Sequence, residues 1–95
     1  MDLTDTQITW RPLAAPYDIN DNGKLDPRER RALPDSAFAF PELRELPLVD
    51  EALTRDAIAE LRQIYYASRD DKALAANNIK AAAKFYGIAV DDRSL

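Results

Sequence analysis

Every proline of this 95-residue chain falls between Pro12 and Pro47, at positions 12, 16, 27, 34, 41 and 47. Proline fixes φ, removes a backbone N–H and biases the residue before it away from helical geometry. No long helix can therefore precede Leu48. The alanine-rich remainder carries no such break and favours helices packed through small residues.

The length is that of one small domain with a single modest core. Thirteen basic and seventeen acidic residues give a net charge of −4, which argues against a surface devoted to nucleic acid or anionic lipid. Cysteine and histidine are both absent. Disulfides, thiolate zinc sites and thiol nucleophiles are thereby excluded, as are Ser-His arrangements and imidazole ligands. Any metal is held by oxygen, and a non-enzymatic role is expected. The start, MDLTDTQITWRP, lacks the pattern of a signal peptide, and no apolar stretch reaches membrane-spanning length. The expectation is synthesis in a cytoplasm, with no membrane partner.

Residues 1–17 read as an extended arm anchored by Trp10, because Pro12 and Pro16 prevent a helix. Residues 18–33 read as a polar loop followed by a short helix. Asp26 suits its cap, Pro27 its first position, and Pro34 ends it. Residues 34–49 form a proline-rich connector in which Phe38 and Phe40 share one side of an extended segment, with a turn of helix expected at 41–46. Its apolar content is too high to leave in water.

Asp50 caps the first long helix, where Leu53, Ala57, Ile58, Leu61, Ile64, Tyr65 and Ser68 recur at helical spacing. Asp70 or Asp71 caps the second, whose inner face holds Leu74, Ala75, Asn78, Ile79, Ala82, Phe85 and Tyr86. Gly87 suits a left-handed C-terminal cap, with Ile88 supplying the accompanying apolar contact. The short turn between the helices predicts an antiparallel hairpin over 50–88, followed by a tail at 89–95.

One segment carries metal chemistry. DINDNGKLDPRE, Asp18 to Glu29, matches the twelve-residue EF-hand loop, whose ligands come from positions 1, 3, 5, 7, 9 and 12. These are Asp18, Asn20, Asn22, the Lys24 carbonyl, Asp26 through water, and Glu29. Gly23 takes the sharp turn at position 6, and Leu25 the apolar position 8 that ties the loop to the core. A turn at Asn22-Gly23 and a capped helix from Asp26 to Glu29 explain part of the pattern without a metal. They leave Asp18, Asn20 and Leu25 unexplained. Two direct carboxylates, neutral asparagines and nearby arginines place the expected calcium affinity at the weak end, about 10⁻⁵ to 10⁻³ M.

The remaining constellations favour structure over chemistry. Arg28, Arg30 and Arg31 read as a solvated helix face. Tyr65, Tyr66, Phe85 and Tyr86 read as core because of their helical spacing. Asn77 or Asn78, costly inside a helix, is expected to bond a neighbouring strand or loop. The pairs Glu42 with Glu45 and Asp91 with Asp92 read as exposed charges.

The stretch LPDSAFAFPELRELPLVDEALTRDAIAEL, followed later by NIKAAAKFYGI, resembles a family of small bacterial and phage domains of uncharacterised function. The resemblance covers residues 33–88. It is carried by Leu33 to Pro41, Arg44, Pro47, Leu48, Asp50, Arg55, Ala57, Ile58, Ile79, Lys80, Ala82 to Lys84, Tyr86 and Gly87. Leu53 stands where that family usually has histidine. The resemblance implies an accessory module near phage structural proteins, with no activity or cofactor attached. Residues and resemblance together predict a mainly α single domain: an extended N-terminal arm, an EF-hand-like loop with a short helix, and a C-terminal antiparallel helical hairpin. The expected role is a calcium-binding structural or protein-interaction module, associated with phage structural proteins in a virion. The alternative is a calcium-responsive regulatory module whose arm moves on binding.

Overall fold

The computed structural model describes residues 8–12 and 27–90. These form helix α1 (Pro27–Ala32), a 3₁₀ turn (Asp35–Ala37), strands β1 (Phe38–Phe40) and β2 (Glu45–Pro47), and helices α2 (Glu51–Leu61) and α3 (Arg69–Tyr86). The described residues are 55% helical and 9% strand, a mixed α/β arrangement. This corrects the expectation of a mainly α domain ending in a helical hairpin.

The correction starts in the proline-rich segment. β1 and β2 pair antiparallel, with Phe38 opposite Pro47 and Phe40 opposite Glu45, so the expected helical turn at 41–46 is a β-hairpin. Proline is tolerated in a sheet only at edges, strand starts and bulges, and Pro47 closes the outer strand of a two-stranded ribbon. Arg44 and Leu46 both take left-handed φ, at 54° and 59°. Such values cost energy for residues with a side chain and persist only where the surroundings enforce them.

β1 is buried along its whole length. Phe40 and Ala39 join the main core with Trp10, Leu46, Leu48, Ala57, Leu61, Ile64, Ala75, Ile79 and Ala82. Phe38 belongs to a second, smaller cluster with Leu33 and Ala37. The two phenylalanines thus serve different clusters.

α2 begins as its sequence requires. The Asp50 carboxylate accepts from the Leu53 N–H at 2.7 Å, and the Thr54 hydroxyl, fully buried, donates to the Asp50 carbonyl at 2.7 Å. The helix stops at Leu61 instead of running on through Ser68. The Ile64 N–H reaches back to Leu61, which tightens the backbone and turns Ile64 into the core. Ser68 then takes extended geometry and accepts from the Asp71 N–H at 3.1 Å, capping α3 in place of either aspartate. Asp70 and Asp71 occupy the first turn, where negative charge complements the helix dipole.

α3 ends in a Schellman arrangement: the Gly87 N–H donates to Lys84 and the Ile88 N–H to Ala83 at 2.8 Å, while buried Ile88 supplies the apolar contact. Gly87 has φ 75°, and a Cβ there would meet nothing within 4 Å. Gly87→Ala therefore isolates the backbone cost, and thermal unfolding should show a loss of about 1–2 kcal/mol. An unchanged melting temperature would contradict this account of the cap.

Candidate metal centre and the polar contacts around it

α1 starts at Pro27, whose missing N–H would be unpaired in the first turn anyway. Glu29, in that first turn, is only 3% exposed, and it has an interaction partner. Of the other five expected ligands, Asp18, Asn20, Asn22, Lys24 and Asp26 all lie outside the described residues. Among the described residues, no group of three or more acidic side chains comes together to hold a metal ion.

The far end of α1 is tied to the β-hairpin by two arginines. Arg44 donates to the Arg30 carbonyl at 3.0 Å and the Leu33 carbonyl at 2.9 Å, and pairs with the Asp35 carboxylate. The last carbonyls of a helix have no partner within it. Here the Arg30 carbonyl accepts from the Leu33 N–H at 3.2 Å and also from a guanidinium 14 residues away. Arg30 reciprocates, donating to the Arg44 carbonyl at 2.8 Å and to Glu45 at 3.3 Å. Both guanidinium groups lie over the Phe38 ring, at 5.7 Å for Arg30 and 4.6 Å for Arg44, a favourable cation–π geometry. Arg30 thus bonds to the hairpin while its side chain stays 41% exposed, and Arg28 and Arg31 are exposed, as expected for a solvated run. Glu45, expected as an exposed charge, keeps 43% side-chain exposure and pairs with Arg30.

A second polar centre holds the arm. The Asn78 carboxamide is fully buried, and its oxygen accepts from the N–H groups of Thr9 at 2.8 Å and Trp10 at 2.9 Å. Its nitrogen donates to the Thr9 hydroxyl at 2.9 Å and the Ala39 carbonyl at 3.0 Å. Two donors and two acceptor lone pairs are all an asparagine offers, so the group is saturated. The expectation that one asparagine of the pair bonds a strand or loop is met by Asn78, which bonds both. Trp10 also donates its indole N–H to the Leu48 carbonyl at 3.0 Å, which accepts from the Tyr86 hydroxyl as well, at 3.4 Å. Burial, and then the nearby Asp50 carboxylate, push the Tyr86 hydroxyl above its ordinary pKa.

Three aromatics depart from their expected place in the core. Tyr65 is 89% exposed, Tyr66 57% and Phe85 60%. Because α2 ends early, Tyr65 and Tyr66 sit in the connection to α3, stacked edge to face with centroids 5.8 Å apart. Phe85 lies at the rim, with its ring 5.7 Å from Trp10. No local pattern in the sequence marks Arg44 as a side chain that caps a helix earlier in the chain. Its place in the FAFPELRELPL stretch was the available signal.

These features define a small mixed α/β domain whose interior polar groups are spent on joining its segments. It belongs to a family of unknown function, DUF6582, whose model matches residues 16–93. The matched span is wider than the 33–88 of the resemblance and takes in the whole DINDNGKLDPRE segment. No curated protein and no solved structure matches the chain significantly.

Proposed function

We propose that this domain is a calcium-stabilised, non-enzymatic module that holds or joins other proteins, with phage structural proteins as its setting. Asp18, Asn20, Asn22, the Lys24 carbonyl, Asp26 and Glu29 are the proposed ligands. The observation that carries the reading is the twelve-residue spacing that ends on Glu29. In an EF-hand the last ligand is a glutamate in the exiting helix, and Glu29 is a buried carboxylate in the first turn of α1. Calcium bound there would pin the loop to α1, and through the arginine contacts of α1 to the β-hairpin.

A stabilising clamp is favoured over a calcium-responsive switch by the seating of the arm. Trp10 is 5% exposed and is held by its own N–H and its indole N–H. An arm fixed by contacts from Asn78 and Leu48 has little freedom left for calcium to command. The setting rests on the sequence resemblance alone.

Calorimetry with calcium should give a dissociation constant of about 10⁻⁵ to 10⁻³ M. Calcium at about 100 times that constant should raise stability by roughly 2.7 kcal/mol. Asp18→Ala and Glu29→Gln should each remove the heat and the gain in melting temperature, while Trp10 fluorescence stays nearly constant on binding. No heat and no gain at millimolar calcium would refute the metal site. A large calcium-dependent change in Trp10 emission would instead establish the switch.

A further inference from the structure

Beside the arm, a cleft of ≈ 170 Å³ opens between Thr9, the β1–β2 turn and the start of α3. Phe40, Leu43 and Leu74 are its apolar lining residues, and Glu42 and Asp71 its acidic ones. From these residues we infer that the cleft is an anchor site for one basic side chain, arginine or lysine, of a protein partner. The inference rests on the interaction role proposed above and names the chemistry of the partner.

Size sets the first limit. Ligand pockets for drug-sized molecules run to about 300–1,000 Å³, whereas an engineered cavity of about 150 Å³ takes a single benzene. The cleft therefore accommodates one side chain and is too small for a cofactor.

Charge sets the second. Among the described residues its lining includes two acidic residues and no cationic one, and neither Glu42 nor Asp71 takes part in an ion pair there. Arginine and lysine lay a long apolar stem along apolar surface and keep the charged head in a polar setting, which suits a cleft lined by both apolar and acidic residues. Leu43 is 45% exposed and Ile8, next to Thr9, is 41% exposed. The apolar surface thus continues outward for neighbouring residues of a partner.

The site is also preformed. Thr9 is fixed through both its N–H and its hydroxyl oxygen by Asn78, and Phe40 is buried in β1. Little ordering entropy remains to be lost on binding.

The test selects a displayed library of random peptides against the intact chain, in parallel with the double variant Glu42→Gln/Asp71→Asn. That variant should lose no more stability than the Asp71 charge contributes by complementing the helix dipole, and remain folded at the binding temperature. The expected result is enrichment of peptides with an arginine or lysine flanked by apolar residues, bound roughly tenfold more weakly by the variant. Amide shifts on binding should centre on Thr9, Leu43 and Leu74. Peptides that bind the variant equally well, or that lack a basic residue, overturn the cleft assignment and leave the interaction role standing on another surface. Absence of any enrichment overturns both. A concentration-dependent dimer lost in the variant overturns the partner assignment in favour of a second copy of this chain.

Discussion

Replacing Asn78 with alanine should lower the melting temperature by at least roughly 12 °C and expose Trp10 to water. The substitution leaves the N–H groups of Thr9 and Trp10 and the carbonyl of Ala39 without their partner. An orphaned buried polar group costs about 1–3 kcal/mol, so three sum to roughly 3–9 kcal/mol if the arm stays in place. A domain of this kind has about 5–15 kcal/mol in total. The arm can escape part of that cost by detaching, which hydrates the orphaned groups but gives up the burial of Trp10, itself worth about 3 kcal/mol. Either route is expensive, and the cheaper one wins. Trp10 is the sole tryptophan, so its emission distinguishes them: a red shift below the melting transition marks a released arm, and an unshifted spectrum with a lower melting point marks a seated one. An alanine variant as stable as the parent would refute the assigned role of Asn78.

The second large effect concerns Arg44. Arg44→Ala should cost roughly 2–4 kcal/mol, because charge-assisted bonds to two carbonyls and a cation–π contact over buried Phe38 are lost together. The Asp35 ion pair adds little, since that carboxylate is 72% exposed. Alanine also keeps the cost of a left-handed residue at φ 54°, which glycine does not incur. Arg44→Gly should therefore recover about 1 kcal/mol relative to Arg44→Ala while remaining below the parent. Denaturant unfolding of the three proteins measures this order. A glycine variant no more stable than the alanine variant would mean that position 44 is not strained in the way its φ implies.

The two residues also show where reading by sequence ends. Asparagine is costly inside a helix, yet nothing within a helical turn of Asn78 names Thr9, Trp10 or Ala39 as partners. Arg44 lies among prolines whose spacing suggests a connector, and the hairpin around it depends on Pro47 finding the outer edge of a two-stranded ribbon. The exposed tyrosines have the same origin. Tyr65 continues a helical spacing, but Ser68 captures the chain as the cap of α3 and shortens α2, so the pattern outlasts the helix that would have buried it.

What the sequence by itself determined are the features whose partners lie within a few residues. These include the start of α1 at Pro27, the Asp50 cap, the Gly87 and Ile88 termination, and the ordered spacing from Asp18 to Glu29 that defines the candidate calcium loop. Each is a relation inside one turn or one loop, where the energy of a cap or of φ is set by near neighbours. The tertiary structure alone decided the β-hairpin, the bonds of Arg30 to it, the Arg44 contacts with α1, and the joining of arm, strand and helix at Asn78. Those contacts bridge as many as 69 residues along the chain. They form because burial forces the backbone groups of the arm and of β1 to find partners away from water, a demand that exists only once the segments are brought together.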